Sequence, residues 1–165
     1  SAESASGDYP VEAVATMNRI AAEVERDPNY RNIMHAQRTE PEATGADAIS
    51  AAARQIAETL NLAAICCYTS SGATAMRAAR ERPQTPIIAM SPVLGTARRL
   101  SLVWGLHCVA GPEPDTLETM IDHACELARG EGFAKPGERI VVTAGVPLGQ
   151  TGVTNMLRVA FVAGD

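Results

Sequence analysis

From residue 46 onward the apolar residues alternate between helical stripes and short continuous runs. Ala46 to Leu60 is rich in alanine, with Ile49, Ala53, Ile56 and Leu60 at helical spacing, which predicts an amphipathic helix that neighbouring backbone can approach closely. Leu62 to Tyr68 is apolar almost throughout, the pattern of a strand buried on both faces, and predicts a central parallel strand. The unit then repeats: helix Gly72 to Arg82, strand Pro86 to Met90, helix Gly95 to Trp104, strand Leu106 to Ala110, helix Asp115 to Arg129, strand Arg139 to Thr143. Alternation of this kind predicts an α/β fold of three layers, α/β/α, with a mostly parallel sheet and right-handed crossovers. The last apolar run, Asn155 to Ala163, follows a turn-rich loop too short for a helical crossover, so it is expected to pair antiparallel.

Upstream the pattern differs. Residues 9–27 predict a helix, with Asp8 as cap, Tyr9 and Pro10 in the first turn, and Val11, Val14, Met17, Ala21 and Val24 along one stripe. Arg26 near its end suits the negative pole of the helix dipole. Residues 28–45 mix Pro, Asn, Gly and charge without a sustained period and read as a connector. The expected organisation is an N-terminal segment over 1–30, a connector over 31–45 and an α/β domain over 46–165.

Composition narrows the function classes. With 165 residues, 46% of them hydrophobic and 20% charged, the chain can bury a sizeable single core and lacks the signature of a disordered segment. A net charge of -5 without any Lys/Arg run argues against nucleic acid as a partner. The apolar stretches break off before membrane-spanning length and no secretory pattern opens the chain, so no membrane partner is expected and the cytoplasm is the expected location. Cys66, Cys67, Cys108 and Cys125 show no metal-ligand spacing, and adjacent Cys66 and Cys67 would face opposite sides of a strand; reduced, packed thiols are expected.

Two loops carry candidate chemistry. Thr69, Ser70, Ser71, Gly72, Ala73 and Thr74 follow the central strand and lead into a helix, the position where open α/β sheets bind ligands. Hydroxyls, a glycine and the free N–H groups of a helix start make an anion cradle, with a phosphoryl group as natural occupant. Ser70 or Ser71 as a plain helix N-cap fits the same composition. The second loop runs from Ala144 to Asn155 and includes Gly149, Gln150, Thr151, Gly152 and Thr154; it reads either as a flap over a ligand or as a wide hairpin connection.

Other chemistries find no support. Gly145-x-x-x-Gly149 has no adjacent Lys and is no P-loop, and no GxGxxG follows a strand. His35, His107 and His123 lack metal-site spacing, no serine lies in a GxSxG context, and Asp115, Glu118 and Asp122 read as a solvated helix face. On residues alone the chain is a binding domain with no metal site of its own.

The strings SAESASGDYPVEAV, TSSGATA, ARRLSLVWGLHCV and LGQTGVTNMLRV resemble, in combination, pyruvate kinase over nearly the whole length. The first resembles the junction of that family's last barrel strand with its helix, and the others its C-terminal regulatory domain. The start at Ser1 inside that motif reads as a fragment. The resemblance implies a parent phosphotransferase that converts phosphoenolpyruvate and ADP into pyruvate and ATP, uses Mg2+ and K+, and forms a homotetramer through the C-terminal domain. It implies that Ser1 and Glu3 border the active site, that the main catalytic residues belong to a missing barrel domain, and that this chain alone is inactive. It also implies an effector phosphate on Thr69, Ser70, Ser71, Gly72, Ala73 and Thr74, with Gly149, Gln150, Thr151, Gly152 and Thr154 closing above. Family members that respond to fructose 1,6-bisphosphate often place Trp and Arg around the third helix; here EPDTLETMID is acidic and lacks both, so a sugar monophosphate or nucleotide monophosphate, or no effector at all, is expected. A self-standing sugar-phosphate-binding protein or an oligomerisation module of the same fold are the alternatives.

Overall fold

The computed structural model describes residues 2–37, 40–150 and 152–164. It divides into two compact units, Ser1–Thr39 and Glu40–Asp165. The first unit holds helices α1 (Ala2–Ser6), α2 (Pro10–Arg26) and α3 (Pro28–Ala36). The expected α2 is present, but Tyr9 rather than Asp8 occupies its cap position and makes no side-chain cap bond. Helix α3 occupies a stretch expected to be a connector. Its physical cause is local: Asp27 accepts from the Asn29 N–H at 2.7 Å and Pro28 opens the first turn, where a missing N–H costs nothing. The apolar stripe of α2 is present and uncovered, with Val11, Val14, Met17 and Val24 all exposed.

The second unit is the α/β domain. Its elements are α4 (Gly45–Leu60), β1 (Ala64–Tyr68), α5 (Ala73–Arg80), β2 (Ile87–Ser91), α6 (Leu94–Leu100), β3 (Leu106–Ala110), α7 (Leu117–Gly130), β4 (Arg139–Ala144) and β5 (Met156–Phe161). The five-stranded sheet runs β3-β2-β1-β4-β5. Strand β1 is central as the continuous apolar run requires, parallel to β2 through Ile65 and Ile87 and to β4 through Ile65 and Val141. Strand β5 pairs antiparallel with β4 and forms one edge of the sheet.

Side chains alternate across β1, so its two faces feed two cores. Cys66 and Tyr68 join Ile88, Met90, Met120, Ala124, Ile140 and Val142 under α7, while Ile65 and Cys67 join Ala53, Ala57, Ala75, Ile87, Leu100 and Val141 under α4, α5 and α6. This is the three-layer arrangement. All four cysteines are free thiols, and burial pushes Cys67 up to about 11 against the Thr143 hydroxyl that donates to its sulfur.

Several elements differ in detail from expectation: β1 begins at Ala64 rather than Leu62 and α5 stops at Arg80 rather than Arg82. Helix α6 stops at Leu100 instead of reaching Trp104, because the chain turns out through Leu102, which is 90% exposed, and Gly105 at φ +73. Beyond that turn the Arg82 guanidinium lies over the Trp104 ring at 4.2 Å. Helix α7 starts at Leu117, with Thr116 and Thr119 exchanging the bonds of a capping box. The buried ridge of α4 is Asp47, Ser50, Ala53 and Ala57, and Leu60 is left exposed. The ridge is turned by its first residue, because Asp47 is the acceptor that ties α4 to α5.

Asp47 accepts from Arg77 Nε at 3.0 Å, from Arg80 Nη2, and from the Glu42 N–H at 2.9 Å. It is sheltered by these partners at the helix start rather than sunk in the apolar core. The Glu42 N–H and then Arg80 hold its carboxyl below the ordinary value of 3.8, outweighing desolvation. A depressed folded pKa contributes stability that is complete above the unfolded value and is lost as pH falls through the folded one. The Tm of Asp47→Asn should therefore lie below wild type at neutral pH, and the gap should shrink once pH drops below about 3.8. Thermal melts from pH 7 to pH 2 check this; a gap that stays constant would assign the effect to packing alone.

Candidate functional site

The site lies where β1 runs out and α5 begins. Thr69 is buried: its N–H donates to the Met90 carbonyl and its hydroxyl accepts from the Gly72 N–H at 2.9 Å, folding the loop back on itself. Gly72 occupies the helix cap position at φ +97, where L side chains are strained, and a Cβ there would also press to 3.2 Å from Leu100 Cδ2. The N-cap is thus neither Ser70 nor Ser71. Ser71 is exposed, its hydroxyl accepts from the Ala73 N–H only at 3.4 Å, and its carbonyl accepts from Arg99 Nη2 at 2.9 Å. Helix geometry leaves the first-turn N–H groups of α5 directed out of the helix, toward the space above this loop.

The second loop comes down over the first. Asn155 staples its two ends, accepting from the Val146 N–H at 2.8 Å and donating to the Val146 carbonyl at 2.7 Å. Thr154 and Thr74, both buried, share a hydroxyl–hydroxyl bond of 2.7 Å that latches the second loop onto α5. Gly145 sits against the returning strand so closely that a Cβ would run into the Val153 carbonyl oxygen.

Between the loops is a narrow cleft with an enclosed volume of about 30 Å3, open to solvent on one side. Its lining brings Thr69, Ser70, Ser71, Ala73 and Thr74 together with Gly149, Gln150, Gly152 and Thr154. Gly72 is not among the lining residues, and Thr151 falls outside the described residues. Gly145 and Val153, inside the expected Ala144–Asn155 loop, also line the cleft, as does Tyr68, which lies outside both candidate loops. Tyr68 did offer a signal: a hydroxyl-bearing aromatic closing a strand directly before the loop. No lining residue carries a formal charge, so an anion here would be held by hydroxyls, N–H groups and the α5 dipole.

The remaining candidates lie elsewhere. Ser1 falls outside the described residues, and Glu3 in α1 accepts from the Tyr9 N–H at 2.7 Å. His107 pairs with Glu131 at 2.9 Å, and Glu118 and Asp122 are exposed on α7. Among the described residues no group of three or more His, Cys, Asp or Glu side chains is placed to hold a metal ion, and no helix is long and apolar enough to cross a membrane.

Fold and cleft together define an α/β domain with a cleft beyond the carboxyl end of the central strand, where open α/β sheets commonly bind ligands. Residues 47–160 match the family model described as pyruvate kinase, alpha/beta domain, and the chain belongs to that family. A pyruvate kinase of Methylorubrum extorquens is 51% identical over 162 residues, covering 98% of this chain and 34% of that protein. One of Geobacillus stearothermophilus is 40% identical, covering 99% and 28%. The solved structure of a pyruvate kinase from Cryptosporidium parvum superposes with a TM-score of 0.85 at 26% identity, covering 98% of this chain and 32% of that one. The chain therefore spans about a third of the length of the relatives it matches.

Proposed function

We propose that this chain is the regulatory and assembly domain of a pyruvate kinase and that its cleft binds a phosphorylated effector, a sugar monophosphate or nucleotide monophosphate. The observation that carries the reading is the convergence of the Thr69–Thr74 loop, the start of α5 and the Gly149–Thr154 flap on one cleft, latched by Thr74 and Thr154. Exposed acidic residues Glu113, Asp115 and Glu118 around the start of α7 would oppose a second phosphate nearby, which favours a monophosphate. Calorimetric titration of the chain with ribose 5-phosphate, glucose 6-phosphate and AMP tests the reading; heat of binding from none of them would sink it.

The parent reaction, phosphoryl transfer from phosphoenolpyruvate to ADP, needs positioned cations to neutralise the moving charge. Mg2+ and K+, on this reading, would be held by the remainder of the enzyme. Ser1 and Glu3 would serve at the border of that active site. The uncovered stripe of α2 is the face a barrel domain would bury. The open edge of β5, where Phe161 is 71% exposed, favours contact with another copy of the chain. The purified chain should make no ATP from phosphoenolpyruvate and ADP with both ions present. A coupled assay showing turnover above background would refute that.

A further inference from the structure

Tyr68 is the last residue of β1 and 8% exposed, with its ring inside the core formed by Met90, Met120 and Val142. Its hydroxyl has no hydrogen-bond partner among the described residues. Buried hydroxyls are almost always paired, and phenylalanine would fill the same volume without leaving a polar atom stranded. The residue also lines the cleft, beside Ser70.

We infer that the Tyr68 hydroxyl is a ligand contact at the floor of the cleft, donating a hydrogen bond to an oxygen of a bound sugar phosphate. The inference rests on the effector reading given above and adds to it a residue from below the loop. Burial and then the Glu113 carboxylate push the phenol pKa up, opposed by the Ser70 hydroxyl, which stands close by but outside hydrogen-bond geometry, and the group stays a protonated donor at neutral pH. The chemistry fits an oxygen-rich ligand. Among the described residues no aromatic face is offered to a base, because the Tyr68 ring is packed in the core and the other lining residues are not aromatic. The ligand is therefore read through its phosphate and hydroxyl oxygens by neutral donors.

Tyr68→Phe in the full chain tests this by calorimetry with ribose 5-phosphate and by thermal melting without ligand. The expected result is affinity weakened by roughly fivefold, the scale of one neutral hydrogen bond, with the ligand-free Tm unchanged or raised. A stranded hydroxyl costs the free domain stability, so its removal cannot destabilise it. Unchanged affinity would overturn the inference while leaving the effector reading intact. A clear drop in the ligand-free Tm would also overturn it, by showing that the hydroxyl already has a partner within the fold. A wild-type chain that binds none of ribose 5-phosphate, glucose 6-phosphate and AMP would overturn both.

Discussion

Ser71→Asp is expected to weaken binding of ribose 5-phosphate, glucose 6-phosphate or AMP by roughly several hundredfold while the fold stays intact. The carboxylate would stand where the anion sits, and like charges at ~4 Å repel by ~4 kcal/mol at a surface-type effective dielectric, which converts to that loss of affinity. The fold has reason to tolerate it. Ser71 is exposed, and its hydroxyl already accepts, at 3.4 Å, from the Ala73 N–H. Aspartate is a better acceptor in that role and adds a negative charge at the positive end of α5. Calorimetry on both proteins, with melting curves alongside, is the measurement. Binding that persists unchanged in the variant would move the ligand to another part of the domain.

The second large effect is expected at Gly145. A Cβ there would collide with the Val153 carbonyl oxygen, which is backbone and cannot swing aside as a side chain could. Gly145→Ala must therefore push the returning segment outward, at a cost of about 1–3 kcal/mol, as for other overpacked sites. The displacement reaches the site directly, because Thr154 follows Val153 and carries the latch to Thr74. Denaturant unfolding should show the lost stability, and calorimetry should show weakened effector binding in the same variant. Lost stability with unchanged binding would mean that the flap contributes nothing to the ligand.

The α/β domain was legible because its signals are redundant. The apolar run of β1, the helical stripes between strands and the shortness of the Ala144–Asn155 loop each pointed to the same topology. Helix α3 was not, because Pro28 and Asn29 were read as breakers, whereas Asp27 and Pro28 together form a helix start. The buried face of α4 is only partly legible: Ala53 and Ile56 of the expected stripe do pack on the core, whereas Leu60 is exposed and Asp47 is buried, since nothing in a single chain announces that Arg77 and Arg80 will come to meet it. In the site, both loops could be recognised from their glycines and hydroxyls. Their convergence depends on the β1–β4 pairing, and the Tyr68 hydroxyl is hidden within a strand whose other side chains are plain core.

The neutrality of the cleft lining bears on how the domain would behave in a cell. A site built from lysines and arginines trades ion for ion with its surroundings, so its occupancy drifts with ionic strength. Fixed dipoles and hydroxyls at short range are screened far less, because little salt reaches the space between donor and acceptor. If the cleft binds the proposed effector, its occupancy would follow the concentration of that metabolite more closely than the background electrolyte, with Arg99 at the Ser71 carbonyl the charge nearest to the loop through which salt could act.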